Sequence, residues 1–314
     1  MRSNGGSDVP ETRRRVPVLV GPTAVGKTAV AEALAAHWPI AVISADSRQV
    51  YRGLDIGTAK PSGPLRARVP HWGIDLVDPG ERYSAGRFAR DAVAWLAAIP
   101  ADRQPVIVGG TGFYVRALAD GLFHEPVLDP ARRTRLRDYL NAAEALAAWA
   151  VRLDTGFSGG GRQRAARVVE VALLTGRPLS WWQAHAAASG VIEPWYVRLT
   201  VPRAVLRRRI TERTAAMLTQ GLVAEVEALL ARGVRPDAPG LDGVGYREAV
   251  AHLRGELDSG ALLDAIVRAT GRYAKRQETW FRHQLPGDTW TLDATAPPAA
   301  LAAEIAARWA GRET

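Results

Sequence analysis

Gly21-Pro22-Thr23-Ala24-Val25-Gly26-Lys27-Thr28 follow the pattern G-x-x-x-x-G-K-[ST], a loop whose glycines let backbone N–H groups turn inward onto phosphate oxygens. The residues on either side suit that geometry. Val16 to Val20 read as a short buried strand, and Ala29 to Ala36 as a helix whose N-terminus adds a positive field at the loop. Lys27 would reach the terminal phosphate, and the Thr28 hydroxyl would take a magnesium ion. The plain alternative is a glycine-rich turn with a surface lysine. The motif specifies a diphosphate or triphosphate as ligand and leaves open what is done to it.

A carboxylate near such a loop decides more. Many phosphate-loop enzymes help hold magnesium with an acid at a strand end. The strand Pro105 to Gly110 runs instead into Gly109-Gly110-Thr111-Gly112, which has none. The strand Ile40 to Ser44 continues into Ala45-Asp46-Ser47. Asp46 is therefore the outstanding acid beside the phosphate site, since ligands of open parallel sheets bind at strand C-termini. It could hold magnesium or act as a general base toward a second substrate; the alternative is a turn or cap residue. His71, Asp75 and Asp78 have spacings compatible with a metal site on a helix. Pro70 and Gly73 argue against a helix there, so an orienting or structural loop is expected.

These groups need a scaffold, and the chain alternates strands and helices as an α/β protein does: a P-loop parallel sheet flanked by helices, with a helical insertion domain. Residues 16–120 and 194–295 are expected to form the catalytic core. Residues 121–193, rich in Ala, Arg and Leu, form the insertion, with Gly159-Gly160-Gly161 as a flexible break. Residues 1–15 read as a disordered leader, and 296–314 as a C-terminal helical tail. A single long helix is expected from Arg203 to Ala231. The 314 residues carry a formal charge of +9 and no cysteine. Thiolate metal sites, disulfides and cysteine nucleophiles are thereby excluded, and an anionic partner is favoured. No apolar run approaches a membrane span.

Six segments in order resemble the tRNA dimethylallyltransferase family: Ser44-Ala45-Asp46-Ser47-Arg48-Gln49-Val50-Tyr51, Asp55 to Pro61, Pro70 to Asp75, Gly109 to Tyr114, Gly243-Val244-Gly245-Tyr246-Arg247, and Tyr273 to Arg282. The resemblance runs from about residue 17 to 285. It implies transfer of the five-carbon group of dimethylallyl diphosphate to N6 of adenosine 37, in tRNAs reading codons that start with U, with diphosphate leaving. Gly21, Pro22, Thr23, Ala24, Val25, Gly26, Lys27 and Thr28 would then grip a leaving group, aided by Mg2+ at Thr28. By the same resemblance Asp46 is the base that takes a proton from the adenine amine. Thr111 bonds a diphosphate oxygen, and Arg213, close to Arg207-Arg208-Arg209, neutralises the leaving group.

The resemblance further implies that Asp46, Ser47, Arg48 and Gln49 meet the target base. Gln163, Arg164 and Arg167 would touch flanking nucleotides, Gln163 and Arg167 lying four apart on one helix face. Gly243, Gly245, Tyr246 and Arg247 complete the RNA surface with Lys275, Arg276, Gln277, Trp280 and Arg282. In that last cluster, cations outward and aromatics mostly inward are expected. The partners implied are the tRNA anticodon stem-loop and dimethylallyl diphosphate, entering from opposite sides of the site. A cytoplasmic monomer is expected. The chain departs from the family between about Leu153 and Gln163, where Asp154 to Gly161 replace a longer turn.

Overall fold

The computed structural model describes residues 13–122, 129–185 and 189–313. In chain order these are β1 (Arg14–Val20), α1 (Lys27–Leu34), β2 (Ile40–Ser44), α2 (Gly63–Arg68), β3 (His71–Trp72), α3 (Ala85–Ala98), β4 (Gln104–Gly109), α4 (Gly112–Ala119), α5 (Pro130–Ala142), α6 (Leu146–Leu153), α7 (Arg162–Thr175), α8 (Leu179–His185), β5 (Ile192–Thr200), α9 (Arg203–Thr219), α10 (Leu222–Ala231), α11 (Tyr246–Leu253), α12 (Ser259–Gln284), β6 (Trp290–Asp293) and α13 (Pro298–Glu313).

All six strands are parallel, in the order β3-β2-β4-β1-β5-β6. Val18 of β1 pairs in register with Ile107 of β4 and with Tyr196 of β5. The continuous apolar runs of β1 and β2 follow from this central placement, because helices cover both faces of a parallel sheet. Leu19, Val42, Val106, Val197 and Leu199 share a core cluster with Leu34 of α1 and Leu301, Ile305 and Trp309 of α13. With β4 between β1 and β2, the loops after all three strands open at one end of the sheet. That end carries the phosphate loop, Asp46 and Thr111.

Several sequence expectations are revised. Arg14 and Arg15, assigned above to a leader, lie in β1. Arg14 donates to the Arg103 carbonyl, and Arg15 pairs with Glu193. Residues 1–12 lie outside the described residues. The expected helix from Arg203 to Ala231 is two helices, because Gly221 adopts a left-handed backbone, φ 100°. The strand β3 went unforeseen because two residues leave no periodicity to read. The last helix is no loose tail: Leu301, Ala302, Ile305 and Trp309 are buried.

The chain divides into two compact units, Met1–Ala119 with Val191–Thr314, and Asp120–Gly190. The second holds α5 to α8 around Leu140, Leu146, Ala150, Phe157, Ala165, Val168 and Val169. Glu170, buried within it, accepts from Arg133, Arg137 and Arg167. These three cations hold its carboxyl below the usual range against the opposing effect of burial. The short Asp154–Gly161 connection is anchored rather than slack. Asp154 is buried and accepts from the Gly156 N–H and from the backbone and hydroxyl of Ser180.

Candidate active site

Gly21 opens the phosphate loop at φ 151°, and a Cβ there would meet the Leu199 carbonyl at 2.6 Å. Only glycine both adopts that conformation and lets β5 pass so close. The chain then curls through Ala24, φ 63°, and Gly26, φ 111°, into the first turn of α1. Lys27 Nζ donates to the carbonyls of Gly21 and Pro22, at 2.9 and 2.8 Å. Burial pushes its ammonium down to about 7; Asp46 opposes that shift and Arg213 adds to it. Thr28 presents an exposed side chain beside it.

The loop is tied down from the far end of the chain. Gln277 of α12 accepts from the Thr23 N–H at 2.8 Å and donates to the Gly110 carbonyl at 2.9 Å. One buried amide thus links the phosphate loop to the turn after β4. Gly112 in that turn lies directly against Trp280, so any side chain there would collide with the indole. Arg209 of α9 adds a second tie, donating to the Val25 and Ala294 carbonyls, both at 2.9 Å. Gln277→Leu leaves a buried N–H and a buried C=O unpaired. The expected loss is about 3 kcal/mol of unfolding free energy, with weaker diphosphate binding, measurable by urea denaturation and calorimetry.

Asp46 leaves β2 half-buried and is held by its own turn, with the Arg48 N–H donating to Oδ1 at 2.8 Å. Thr111 braces the same turn. Its Oγ1 accepts from the Ser47 N–H at 3.0 Å and lies 3.3 Å from the Ser47 hydroxyl. The Thr111 hydroxyl, expected on a phosphate oxygen, here contacts Ser47 in the Asp46 turn.

Two cavities meet here. The larger, about 540 Å³, is bordered by the phosphate loop, α1, Asp46, Arg209, Arg213 and Tyr273. The smaller, about 180 Å³, is bordered by Asp46, Arg48, Gly243, Gly245, Arg247, Arg213, Tyr273 and Arg276. Asp46 and Arg213 face both. Arg213, in a buried setting that lowers its pKa despite the favourable charge of Asp46, carries its cation into the partition. Its neighbour Arg208 is an exposed partner of Glu212, and Arg209, which also borders the larger cavity, donates to two backbone carbonyls.

The expected RNA-contacting residues fall into two groups. Arg48, Gly243, Gly245, Arg247 and Arg276 border the smaller cavity, and Lys275 and Arg282 are exposed on α12. Gln163 and Arg164 are exposed on α7, while Arg167 is half-buried on Glu170. Gln49, Tyr246 and Gln277, expected at the RNA, are instead buried. Gln49 accepts from the Ser44 hydroxyl and donates to the Thr58 carbonyl. The Tyr246 hydroxyl donates to Glu225, whose other oxygen accepts from the Asp55 and Ile56 N–H groups. Trp280 packs edge-on against buried Phe281. Each polar group is matched inside the protein, which is what burial requires.

Sequence reading missed the braces Glu225, Arg209 and Lys60. Lys60 Nζ, almost fully buried, donates to the Tyr51 carbonyl, Asp55 and Asp75. Nothing in a lone charged residue signals such a partner in advance. Asp75 also pairs with Arg66, Asp78 with Arg52, and His71 with the Val69 carbonyl. Among the described residues no group of three His, Asp or Glu side chains is placed to hold a metal.

Comparison with known proteins places this arrangement in context. The family model described as IPP transferase matches residues 49–284, and the isopentenyl transferase model matches residues 14–65. The chain is 46% identical to a tRNA dimethylallyltransferase of Halorhodospira halophila over 290 residues, spanning 88% of this chain and 93% of that relative. It is 43% identical to tRNA dimethylallyltransferase 1 of Trichlorobacter lovleyi, with the same coverage. Among solved structures, the full-length tRNA isopentenylpyrophosphate transferase of Bacillus halodurans superposes with a TM-score of 0.70 at 33% identity, covering 96% of each chain. A eukaryotic dimethylallyltransferase acting on tRNA gives a TM-score of 0.73 at 25% identity, covering 90% of this chain and 74% of the other.

Proposed function

This chain is a prenyltransferase belonging to the IPP transferase family, and on that premise we propose that it moves the dimethylallyl group of dimethylallyl diphosphate to N6 of adenosine 37 in tRNAs that read codons starting with U. The observation that carries the reading is the partition between the two cavities. Asp46 and Arg213 border both, with Gly26, Lys27 and Thr28 of the phosphate loop on the larger side and Arg247 and Arg276 on the smaller.

The prenyl diphosphate would occupy the larger cavity, its phosphates against Lys27, the loop N–H groups and Arg213. The adenine would be flipped from its stack and enter through the smaller cavity. The C1–O bond then breaks, its electron pair leaving on diphosphate. The N6 lone pair forms the new C1–N bond, and the N6 proton passes to Asp46. The exocyclic amine is a weak nucleophile because its lone pair is delocalised into the ring, so removing a proton as the bond forms is what Asp46 contributes. Lys27 and Arg213 supply fixed positive charge where the leaving group gains negative charge. The exposed Thr28 hydroxyl would be the protein's ligand to a magnesium ion, which would add charge stabilisation to the leaving group. Thr111 is assigned here to holding the Asp46 turn.

The exposed Gln163, Arg164, Lys275 and Arg282 fit RNA contacts outside the site. No single helix among the described residues is long and apolar enough to cross a membrane, and a monomer acting in the cytoplasm on the anticodon stem-loop completes the proposal.

The test is an acceptor competition. The protein is incubated with labelled dimethylallyl diphosphate and either unmodified tRNA or AMP. Label in tRNA supports the proposal. Label only in AMP assigns the chain a free-nucleotide acceptor. Phosphate release from ATP without prenyl transfer would assign it a phosphotransferase or switch function.

A further inference from the structure

Among the described residues, six border both cavities: Thr23, Ala24, Asp46, Thr58, Arg213 and Tyr273. If the diphosphate lies on one side and the adenine on the other, the carbon that changes partners must cross this partition. Of the six, Asp46 and Arg213 have roles in the proposed reaction. Thr58 is committed elsewhere, its hydroxyl donating to the Leu54 carbonyl at 2.6 Å. Thr23 contributes its backbone to Gln277, and Ala24 shapes the loop. Tyr273 is left without a role, although it is the aromatic member of the set.

We propose that Tyr273 is a further catalytic residue whose ring lies against the allylic carbon and stabilises the positive charge developing there as the C1–O bond breaks. The proposal rests on the prenyl-transfer reading above. In that reading the allylic fragment gains cationic character between losing diphosphate and gaining nitrogen. Asp46 must remain free to take a proton, and Lys27 and Arg213 are of the wrong sign to help the carbon. An aromatic π face stabilises a cation without reacting with it, and does so most strongly away from water.

The setting of Tyr273 suits this. It lies half-buried on α12, four residues before the amide that ties down the phosphate loop. The Arg276 guanidinium lies 5.6 Å from its ring centroid, so the π system already has a cationic neighbour. Its hydroxyl lies near Thr111, the residue that braces the Asp46 turn, so the ring stands beside the base. Burial first, then the nearby Asp46 charge, pushes its phenol up to about 12. It therefore stays neutral at working pH and cannot compete with Asp46 for the proton.

The experiment replaces Tyr273 with Phe, with Leu, and with phenylalanines carrying one to three ring fluorines, which withdraw π density at nearly constant size. Single-turnover rates are measured with tRNA and dimethylallyl diphosphate both saturating, alongside dissociation constants for inorganic diphosphate and for the unmodified stem-loop. Tyr273→Phe should stay within about threefold of the parent. Tyr273→Leu should lose about 30-fold or more, and the fluorinated series should slow stepwise. Both dissociation constants should hold within about twofold. Rates that ignore fluorination overturn the proposal, as does a weaker stem-loop affinity with an unchanged saturating rate, which would make the ring a base-stacking platform. The fluorinated series decides the matter even if the leucine variant does not fold. An unsubstituted protein that transfers nothing to tRNA refutes the underlying reading, and this is seen before any variant is compared.

Discussion

Replacing Asp46 with alanine is expected to slow prenyl transfer to tRNA by about a thousandfold, within the range that a positioned general base contributes, while diphosphate affinity changes little. The separation follows from the geometry. Asp46 stands in the partition, outside the Gly21–Thr28 loop, and accepts from the Arg48 N–H. Removing its carboxylate leaves Lys27, Arg213 and the loop N–H groups in place. Loss of the negative charge should if anything favour the phosphates. Asp46→Asn tests the same point with the turn preserved, since an amide oxygen can still accept from Arg48 but takes no proton at neutral pH. Stopped-flow transfer rates and calorimetric titration with diphosphate separate the two effects. A variant turning over at a rate near the parent's would remove Asp46 as the base.

Lys27→Ala carries the second large effect, with binding and rate falling together. Loss of about 100-fold in transfer rate is expected from removing a fixed cation at a developing charge, and a comparable loss of diphosphate affinity. Here pH adds an independent signature. In the free site the Lys27 amine is held at about 7, chiefly by burial, so above that pH it is mostly neutral. A bound diphosphate favours the ammonium and raises its pKa again. Binding above pH 7 therefore takes up a proton at Lys27, and affinity falls as pH rises from about 7 toward the raised value. Below pH 7 the amine is already charged, and this linkage disappears. Calorimetry at pH 8 in buffers of different ionisation enthalpy should give a proton uptake for the parent that exceeds that of Lys27→Ala by up to about one. Equal uptake in the two would exclude Lys27 as the titrating group.

Much of this is legible in the sequence. The phosphate loop is legible because its constraint is local: Gly21 must adopt a positive φ under the Leu199 carbonyl, and few sequences meet that need. Asp46 was legible because a parallel strand delivers its next residues to the ligand end of the sheet. The strand β2 was found at its observed bounds for the related reason that a short apolar run between turns has few alternatives.

The residues that proved different are those whose meaning depends on distant partners. Gln277 and Lys275 are two positions apart on α12 and both look like RNA contacts. One faces inward to join Thr23 to Gly110, and the other is exposed. Tyr246 reads as a recognition aromatic until Glu225, from another helix, is seen to accept its hydroxyl. Helical phase could have suggested that Gln277 faces inward. The identity of its partners could come only from the fold.

The account turns on a five-carbon transfer to one adenine, and nucleoside mass spectrometry tests it most directly. Unmodified tRNA reading UNN codons is incubated with the protein and dimethylallyl diphosphate, digested, and compared with a reaction run with Asp46→Ala. The account predicts an adenosine heavier by C5H8, mapped to the position 3′ of the anticodon and nearly absent with the variant. An unaltered tRNA, a modification on another nucleotide, or equal product from the variant would contradict it.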